Sequence, residues 1–375
     1  MSTVIQESAP FVFHAEHAIA TRPPALARRV IVDEHRAVSG YQLVPSSRKG
    51  LAPGAALSEE SIGSAHEGET RLAKPTFVRC TCDDLLEGEL DWLDPDSVVL
   101  EVHESAGHAG DGPSFDHAVL QAARAKGYKL AFDSRLLKKE YAAFVPLASY
   151  VILEMGVLEL DRASAVARAV QTGTKATPMA TQVRTSAEYE HLARAGVKLF
   201  EGVWFAQPPA KADNAIKLSY ASLINLLNMV MREAEVNEIE ELLRREPTLS
   251  FKLLRYINSC GFGRHIEIAS FRHAVMTVGM KRLFRWTALL IAGTPAGNVA
   301  PAAGTLAIVR GRVMELLALE TLSPAEADLA FVTGMFSMLD VLLGMPLAEA
   351  LALVNLPSSV SDAVLRSDGM YAGFL

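Results

Sequence analysis

Two acids stand where short apolar runs stop. Asp133 closes "KLAFD" directly after Leu130, Ala131 and Phe132, and "SVVLEVHE" runs from Ser97 through Glu101 to Glu104. Carboxylates at strand ends that open onto a barrel mouth are where α/β enzymes put their chemistry. Hard divalent cations would need several such oxygens at once. Asp133, however, is followed by Ser134 and Arg135 rather than by a second acid and a glycine. A second constellation is "CTC", with thiols at Cys80 and Cys82. Nothing nearby completes a tetrahedral metal set, so these read as structural thiols.

The elements that must position Asp133 and Glu101 follow from periodicity. Apolar runs "RRVIV" ending at Val32, "GYQLV" (Gly40 to Val44), "TFVRC" (Thr76 to Cys80), "SYVILEM" (Ser149 to Met155), "ATPMATQV" (Ala176 to Val183) and "VKLFEGVWF" (Val197 to Phe205) read as strands. Between them lie helical patterns such as "SFDHAVLQAARAKGY" (Ser114 to Tyr128), closed by Gly127, and "SAEYEHLARAG" (Ser186 to Gly196). Strands alternating with amphipathic helices imply a parallel sheet, most simply a β/α barrel. Residues 45–75, rich in Gly, Ser and Pro, read as a mobile loop or insertion behind an N-terminal extension at 1–26.

After "AQPPAKADN" (Ala206 to Asn214) the strand signal stops. From residue 210 to 375 the pattern is helical throughout, with Thr248 as an N-cap and Pro324 and Pro346 near helix starts. The expected division is 1–26, a barrel over 27–209, and an all-α half over 210–375. The apolar segment Gly334 to Val354 holds Met335, Met338 and Met345, which read as core, and the barrel is expected to dock on this helical half.

Composition bounds the function. The chain has 375 residues, 50% hydrophobic and 21% charged, with net charge −7 and 3 Cys. That is enough for two cores. It is not the balance of a nucleic-acid-coating protein, and the basic cluster Arg264, His265, Arg272, Lys281, Arg282 and Arg285 reads as a solvated face. An odd, sparse cysteine count points to a reducing compartment. The start carries Glu7 and Glu16 and lacks a signal peptide's basic start and long apolar core, and no long uncharged apolar span occurs, so a cytoplasmic protein with no membrane contact is expected.

The run from Glu246 to Leu290 resembles the HDOD domain. Pro247, Leu249, Ser250, Lys252, Leu253, Leu254, Asn258, Ser259, Ile268, Ser270, Ala274 and Gly279 match its spaced pattern, and Phe331 to Val354 extends the likeness. The resemblance implies a relative of the HD phosphohydrolase fold without its metal site. The residues agree: the chain contains no His-Asp dipeptide, and the helical half holds only His265 and His273. His273 reads as a surface or half-buried ring, and Asn258 and Ser259 as turn and cap residues. This half is expected to be a module that binds signalling proteins.

The first half resembles an EAL domain, the barrel that hydrolyses cyclic di-GMP in its active members. The likeness is carried by "ARRVIVDEHRAVSGYQLV", "VVLEVHE", "GYKLAFDS", "YVILE" and "LFEGVWFAQP", in the YuxH-like arrangement of EAL followed by HDOD. Active members hold two divalent cations on carboxylates and an amide. Carried over by position, Gln42 stands at the first Glu, Arg79 at the next strand's Asn, and Glu101 and Asp133 are kept. Ser134 replaces the second Asp, and Ile152 the catalytic Lys, with Glu154 after it. Thr181 and Arg184 replace late Glu residues, Glu201 a Gln, and Ser46 a nucleotide-contacting Arg.

This resemblance implies a TIM-like α/β barrel with a degenerate EAL site, followed by an all-α HDOD domain. The remnant pocket is Gln42, Arg79, Glu101, Asp133, Glu154 and Glu201, with no metal, no cofactor and no catalytic residue. Glu101 and Asp133 are expected to pair with Arg79 and Arg184. The expected function is a non-catalytic signalling or scaffold protein related to cyclic di-GMP signalling and not an enzyme. The alternatives are a receptor that binds cyclic di-GMP without cleaving it and an active phosphodiesterase.

Overall fold

The computed structural model describes residues 26–45, 74–88, 90–105, 114–207, 214–259, 271–294 and 300–375. Most of the 1–26 extension, most of the 45–75 segment, the 208–213 joint, and Arg264 and His265 lie outside these residues.

Eight strands close a barrel in chain order: β1 (Leu26–Asp33), β2 (Val38–Pro45), β3 (Thr76–Cys80), β4 (Val98–Val102), β5 (Lys129–Asp133), β6 (Ala148–Glu154), β7 (Thr177–Val183) and β8 (Leu199–Gly202). Helices α1 (Cys82–Leu86), α2 (His117–Ala125), α3 (Leu160–Gly173) and α4 (Ser186–Arg194) follow β3, β4, β6 and β7. The sheet is not parallel throughout, as the alternating pattern implied. β1 runs antiparallel to both β2 and β8, while β2 to β8 are mutually parallel. The reason is local. Only Glu34 to Ala37 separate β1 from β2, and a connection that short can join only antiparallel strands. Asp33 Oδ1 sets this turn by accepting from the amides of His35 (2.8 Å) and Ala37 (2.9 Å), and Arg36 takes the left-handed conformation at φ 62°.

Alternation then decides what lies inside. Ile31, Phe77, Val99, Ala131, Ile152 and Met179 form one buried apolar layer across six strands. Two residues further on, toward the mouth, β3, β4, β5, β6 and β7 carry Arg79, Glu101, Asp133, Glu154 and Thr181. The period of two that fills the core therefore also lifts the polar set to the rim.

The second half comprises α5 (Asn214–Met231), α6 (Val236–Arg245), α7 (Pro247–Ser259), α8 (Phe271–Val278), α9 (Met280–Gly293), α10 (Pro301–Leu319), α11 (Pro324–Phe336), α12 (Leu339–Leu343), α13 (Leu347–Ala352) and α14 (Ser358–Arg366). Helix α11 starts on a capping box, Ser323 with Glu326, with Pro324 in the first turn. Met335, Met338 and Met345 are all buried. Small residues let α10 lie close to both α9 and α11. A Cβ on Gly304 would come 1.8 Å from the Ala292 carbonyl oxygen, and one on Gly334 would come 2.9 Å from the Gly311 Cα.

Among the described residues the two halves meet at the end of β8. The short 3-10 turn Trp204–Ala206 after β8 packs on α10, and the Ala302 amide donates to the Arg36 carbonyl at 3.2 Å. This contact runs through the first turn of α10, while most of Gly334 to Val354 is buried within the described structure.

Candidate functional site

The mouth residues fall into three hydrogen-bonded groups. In the first, buried Glu101 on β4 is held from three sides. Its Oε2 accepts from Gln42 Nε2 at 2.7 Å, and its Oε1 from Arg79 Nε at 3.2 Å and from His103 Nε2 at 2.8 Å. Burial pushes the Glu101 carboxyl up, but the hydrogen bond from His103, the Arg79 charge and the Gln42 amide outweigh it, and the net shift is below the usual carboxylate value. Gln42 on β2 is itself buried, and Arg79 on β3 is half exposed.

A depressed carboxylate stabilises the fold above its unfolded pKa and loses that contribution as pH falls through the folded value. Stability should therefore drop as pH falls from about 5 to about 3, and Glu101→Gln should flatten that acid limb. Thermal melts of both proteins across this range check it. An unchanged pH dependence in the variant would show that Glu101 is not the group responsible.

In the second group, Asp133 at the end of β5 is clamped by Arg135. The guanidinium Nε lies 3.0 and 2.9 Å from the two carboxylate oxygens, and NH2 lies 2.6 Å from Oδ2. The same Arg135 reaches Glu104 Oε2 at 2.6 Å, and the Tyr141 hydroxyl donates to Glu104 Oε1 at 2.5 Å. That hydrogen bond, with burial and the Glu104 charge, pushes the Tyr141 hydroxyl up to about 12. The third group joins β6, β7, β8 and β1. Gln182 donates its side-chain amide to Glu154 (2.5 Å) and its backbone amide to Glu201 (2.9 Å), and Arg29 lies 3.7 Å from Glu201. Gln182 manages both because it is left-handed at φ 59°, where the β7–β8 register shifts.

The structure thus brings Gln42, Arg79 and Glu101 together, sets Asp133 apart from them, and joins Glu154 to Glu201 through Gln182. One expected pairing is corrected. Glu101 takes Arg79, but Asp133 takes Arg135 two residues away, not Arg184, which is exposed with its backbone amide on Glu188. A partner two positions along the same turn reaches the carboxylate without crossing the mouth. His103, Arg29, Gln182 and Arg135 were missed by sequence reasoning. His103 was within reach of it, since it shares a strand face with Glu101 by the period of two.

The pair of divalent cations that an EAL resemblance implies would meet donors already engaged within the protein. Among the described residues no three His, Cys, Asp or Glu side chains converge as ligands. Glu101 already serves three donors, and both Asp133 oxygens face one guanidinium. Cys80 and Cys82 are free and buried, and burial raises both thiols, Cys80 well above the usual thiol value. Of the basic cluster in the helical half, Arg272 pairs with Glu240, and Arg285 with Glu315 and Asp328. No helix among the described residues is long and apolar enough to cross a membrane.

Parts of this chain are similar to known proteins. Residues 219–294 match the HDOD domain. The chain is 24% identical to the uncharacterized protein YuxH of Bacillus subtilis over 374 residues, 92% of this chain and 87% of that one. It is 25% identical over 279 residues to the cyclic di-GMP phosphodiesterase CdgJ of Vibrio cholerae, covering 74% of this chain but only 64% of the length of CdgJ. Among solved structures, a calcium and cyclic di-GMP complex of BlrP1 from Klebsiella pneumoniae is 22% identical, with a TM-score of 0.38 over 50% of this chain and 56% of that one.

The likeness to CdgJ overturns the expectation that the chain is not an enzyme. That expectation counted departures from one ligand pattern. It took no account of His103, which follows β4 and reaches Glu101, or of Tyr141, whose hydroxyl reaches Glu104 from the 3-10 helix after β5. Residues 219–294, which match the HDOD domain, lie within an all-α half that follows a closed eight-stranded barrel.

Proposed function

We propose that this protein works in cyclic di-GMP signalling, with the barrel mouth recognising the dinucleotide and the helical half presenting a surface to protein partners. The observation that carries the reading is the Gln42–Arg79–Glu101–His103 group. A buried carboxylate, held ionised, stands beside a half-exposed guanidinium, with Arg29 and Arg135 also half exposed around the rim. Guanine edges donate to carboxylates and amides, and phosphates take bidentate contacts from arginine. Glu101, Gln42 and Arg79 are the residues proposed to meet the ligand, with Asp133, Glu154 and Glu201 lining the remaining rim. The proposed division of labour has its boundary near residue 210.

A second reading, phosphodiester cleavage at the same mouth, is favoured by the name of the similar protein CdgJ. One experiment addresses both. Calorimetric titration of the full chain with cyclic di-GMP should give saturable binding, weakened about tenfold in Arg79→Ala, the loss expected for one charge-assisted phosphate contact. The same samples, incubated with Mg²⁺ or Mn²⁺, are then assayed for the linear dinucleotide, and its formation selects the second reading. Absence of both binding and product would sink the proposal.

A further inference from the structure

Three helices of the second half enclose a cavity of about 210 Å³. It lies where α5 ends and α9 begins, beside α11. Val230 and Val332, both buried, and Phe284 and Leu329, both half-buried, give it an apolar floor. A cavity of about 150 Å³ lined by such side chains takes a benzene ring. This one therefore has room for a phenyl or isobutyl group and a few atoms more.

Four charged residues also line it: Glu233, Lys281, Arg285 and Asp328. Two of them are engaged within the protein. Arg285 forks onto Glu315 at 2.6 and 2.7 Å and lies over the Phe331 ring, and Asp328 is 3.5 Å from the same guanidinium. Glu233 and Lys281 are not engaged. Both are exposed, and their side chains have no hydrogen-bond or ion-pair partner among the described residues. They line one cavity with opposite charges and do not pair with each other. The nearby helix ends carry the same signs. Glu233 follows the C-terminus of α5 at Met231, and Lys281 stands in the first turn of α9, which opens on Gly279 with no side-chain cap.

Glu233 is also held in a costly conformation. It is left-handed at φ 52° where α5 closes, with its own amide on the Val230 carbonyl (3.1 Å) and the Ala234 amide on the Met229 carbonyl (2.9 Å). Glycine is the residue suited to such a position. A charged side chain kept there against backbone strain indicates a use for its charge.

We propose that this cavity binds a large apolar α-amino acid as its zwitterion, with the side chain on the apolar floor, the ammonium group on Glu233 and the carboxylate on Lys281. The balance of charge selects the class. A simple carboxylate would face Glu233 unpaired, an amine would leave Lys281 without a partner, and a phosphate would meet both Glu233 and Asp328. A ligand carrying both charges answers both residues. The site is separate from the barrel mouth and does not depend on what the mouth binds.

Calorimetric titration of the full chain with L-leucine and, separately, L-phenylalanine should show saturable binding of at least one, with a dissociation constant of about 1 mM or below, the range open to so few atoms. For the one that binds, the acid lacking the ammonium group (isocaproate or hydrocinnamate) and the amine lacking the carboxylate (isoamylamine or phenethylamine) should each bind at least tenfold more weakly. Lys281→Met and Glu233→Gln should each weaken amino-acid binding at least tenfold with the melting temperature unchanged. Glu233→Gly should lose binding to the same extent and yet melt higher than the parent, because glycine relieves the left-handed strain. No saturation by either amino acid overturns the proposal. So does an acid or amine analogue that binds as tightly as its amino acid, or amino-acid binding that survives both Lys281→Met and Glu233→Gln.

Discussion

Trp204→Ala should lower the stability of the protein by about 3 to 5 kcal/mol, the cost of emptying a site shaped for a large buried aromatic. The Trp204 ring is fully buried. It lies flat on Tyr189 of α4 with centroids 3.9 Å apart and planes 12° apart, and meets Phe205 edge-on at 5.8 Å. The Arg36 guanidinium lies 5.0 Å from the Tyr189 ring and 5.6 Å from the Trp204 ring, and the Tyr189 hydroxyl donates to the Glu34 carbonyl at 2.8 Å. One indole thus fixes the β1–β2 turn, α4 and the first turn of α10. Its removal should cost stability and also uncouple the halves. Differential scanning calorimetry should resolve two transitions where the parent shows overlapping ones. Trp204→Phe separates packing from polarity. Among the described residues the buried indole Nε1 has no hydrogen-bond partner, so losing that donor should carry no penalty, and the Phe variant should retain most of the parent's stability. Equal losses in the Ala and Phe variants would show that the stacked ring is not what holds the joint.

Gly304→Ala should destabilise the helical half by about 3 kcal/mol, at the upper end of what overpacking by one methyl costs. The sign opposes propensity, since alanine is better than glycine inside a helix by about 1 kcal/mol. Geometry decides. The added Cβ would sit 1.8 Å from the carbonyl oxygen of Ala292, a backbone atom that cannot rotate away, so α9 and α10 must separate. Gly293, where a Cβ would meet nothing within 4 Å, supplies the control: Gly293→Ala should be neutral or slightly stabilising. Chemical denaturation followed by helical circular dichroism would compare the two. A Gly304→Ala variant as stable as the Gly293→Ala variant would mean that the helix contact is looser than these distances state.

What was legible in the sequence is what local patterns determine. The short apolar runs in "KLAFD" and "SVVLEVHE" placed β5 and β4 and, with them, Asp133 at its strand end and Glu101 within its strand. Helical spacing after Asn214 gave the all-α half, and prolines marked the starts near Pro324 and Pro346. The antiparallel sense of β1 was not read, although the brevity of "DEHRA" contained it. Helix α14, "SSVSDAVLR", was not singled out although Val360, Ala363 and Val364 recur at helical spacing, and the break between α11 and α12 at Ser337 and Met338 left no proline or glycine signal. The grouping of the mouth was beyond any linear pattern. Whether Asp133 meets Arg135 or Arg184 depends on where side chains reach across a closed barrel, and Gln182 joins Glu154 to Glu201 only because the backbone turns left-handed there.

The pairing of β1 with β8 sets the order in which this chain can fold during synthesis. The β1–β2 hairpin closes over four residues, whereas its other edge must wait for Asp33 to find Leu199. Bringing those distant residues together costs about 3 kcal/mol more chain entropy than closing the hairpin. Until β8 leaves the ribosome, β1 and β7 each present an unpaired strand edge, the kind of surface on which nascent chains associate wrongly. The helical half has a closure of its own, since Asn228 of α5 donates to the Leu353 carbonyl. The N-terminal half therefore begins folding first and finishes late, and the glycine that closes it, Gly202 at φ 148° with the Val183 carbonyl where a Cβ would go, is the last element of the barrel to arrive.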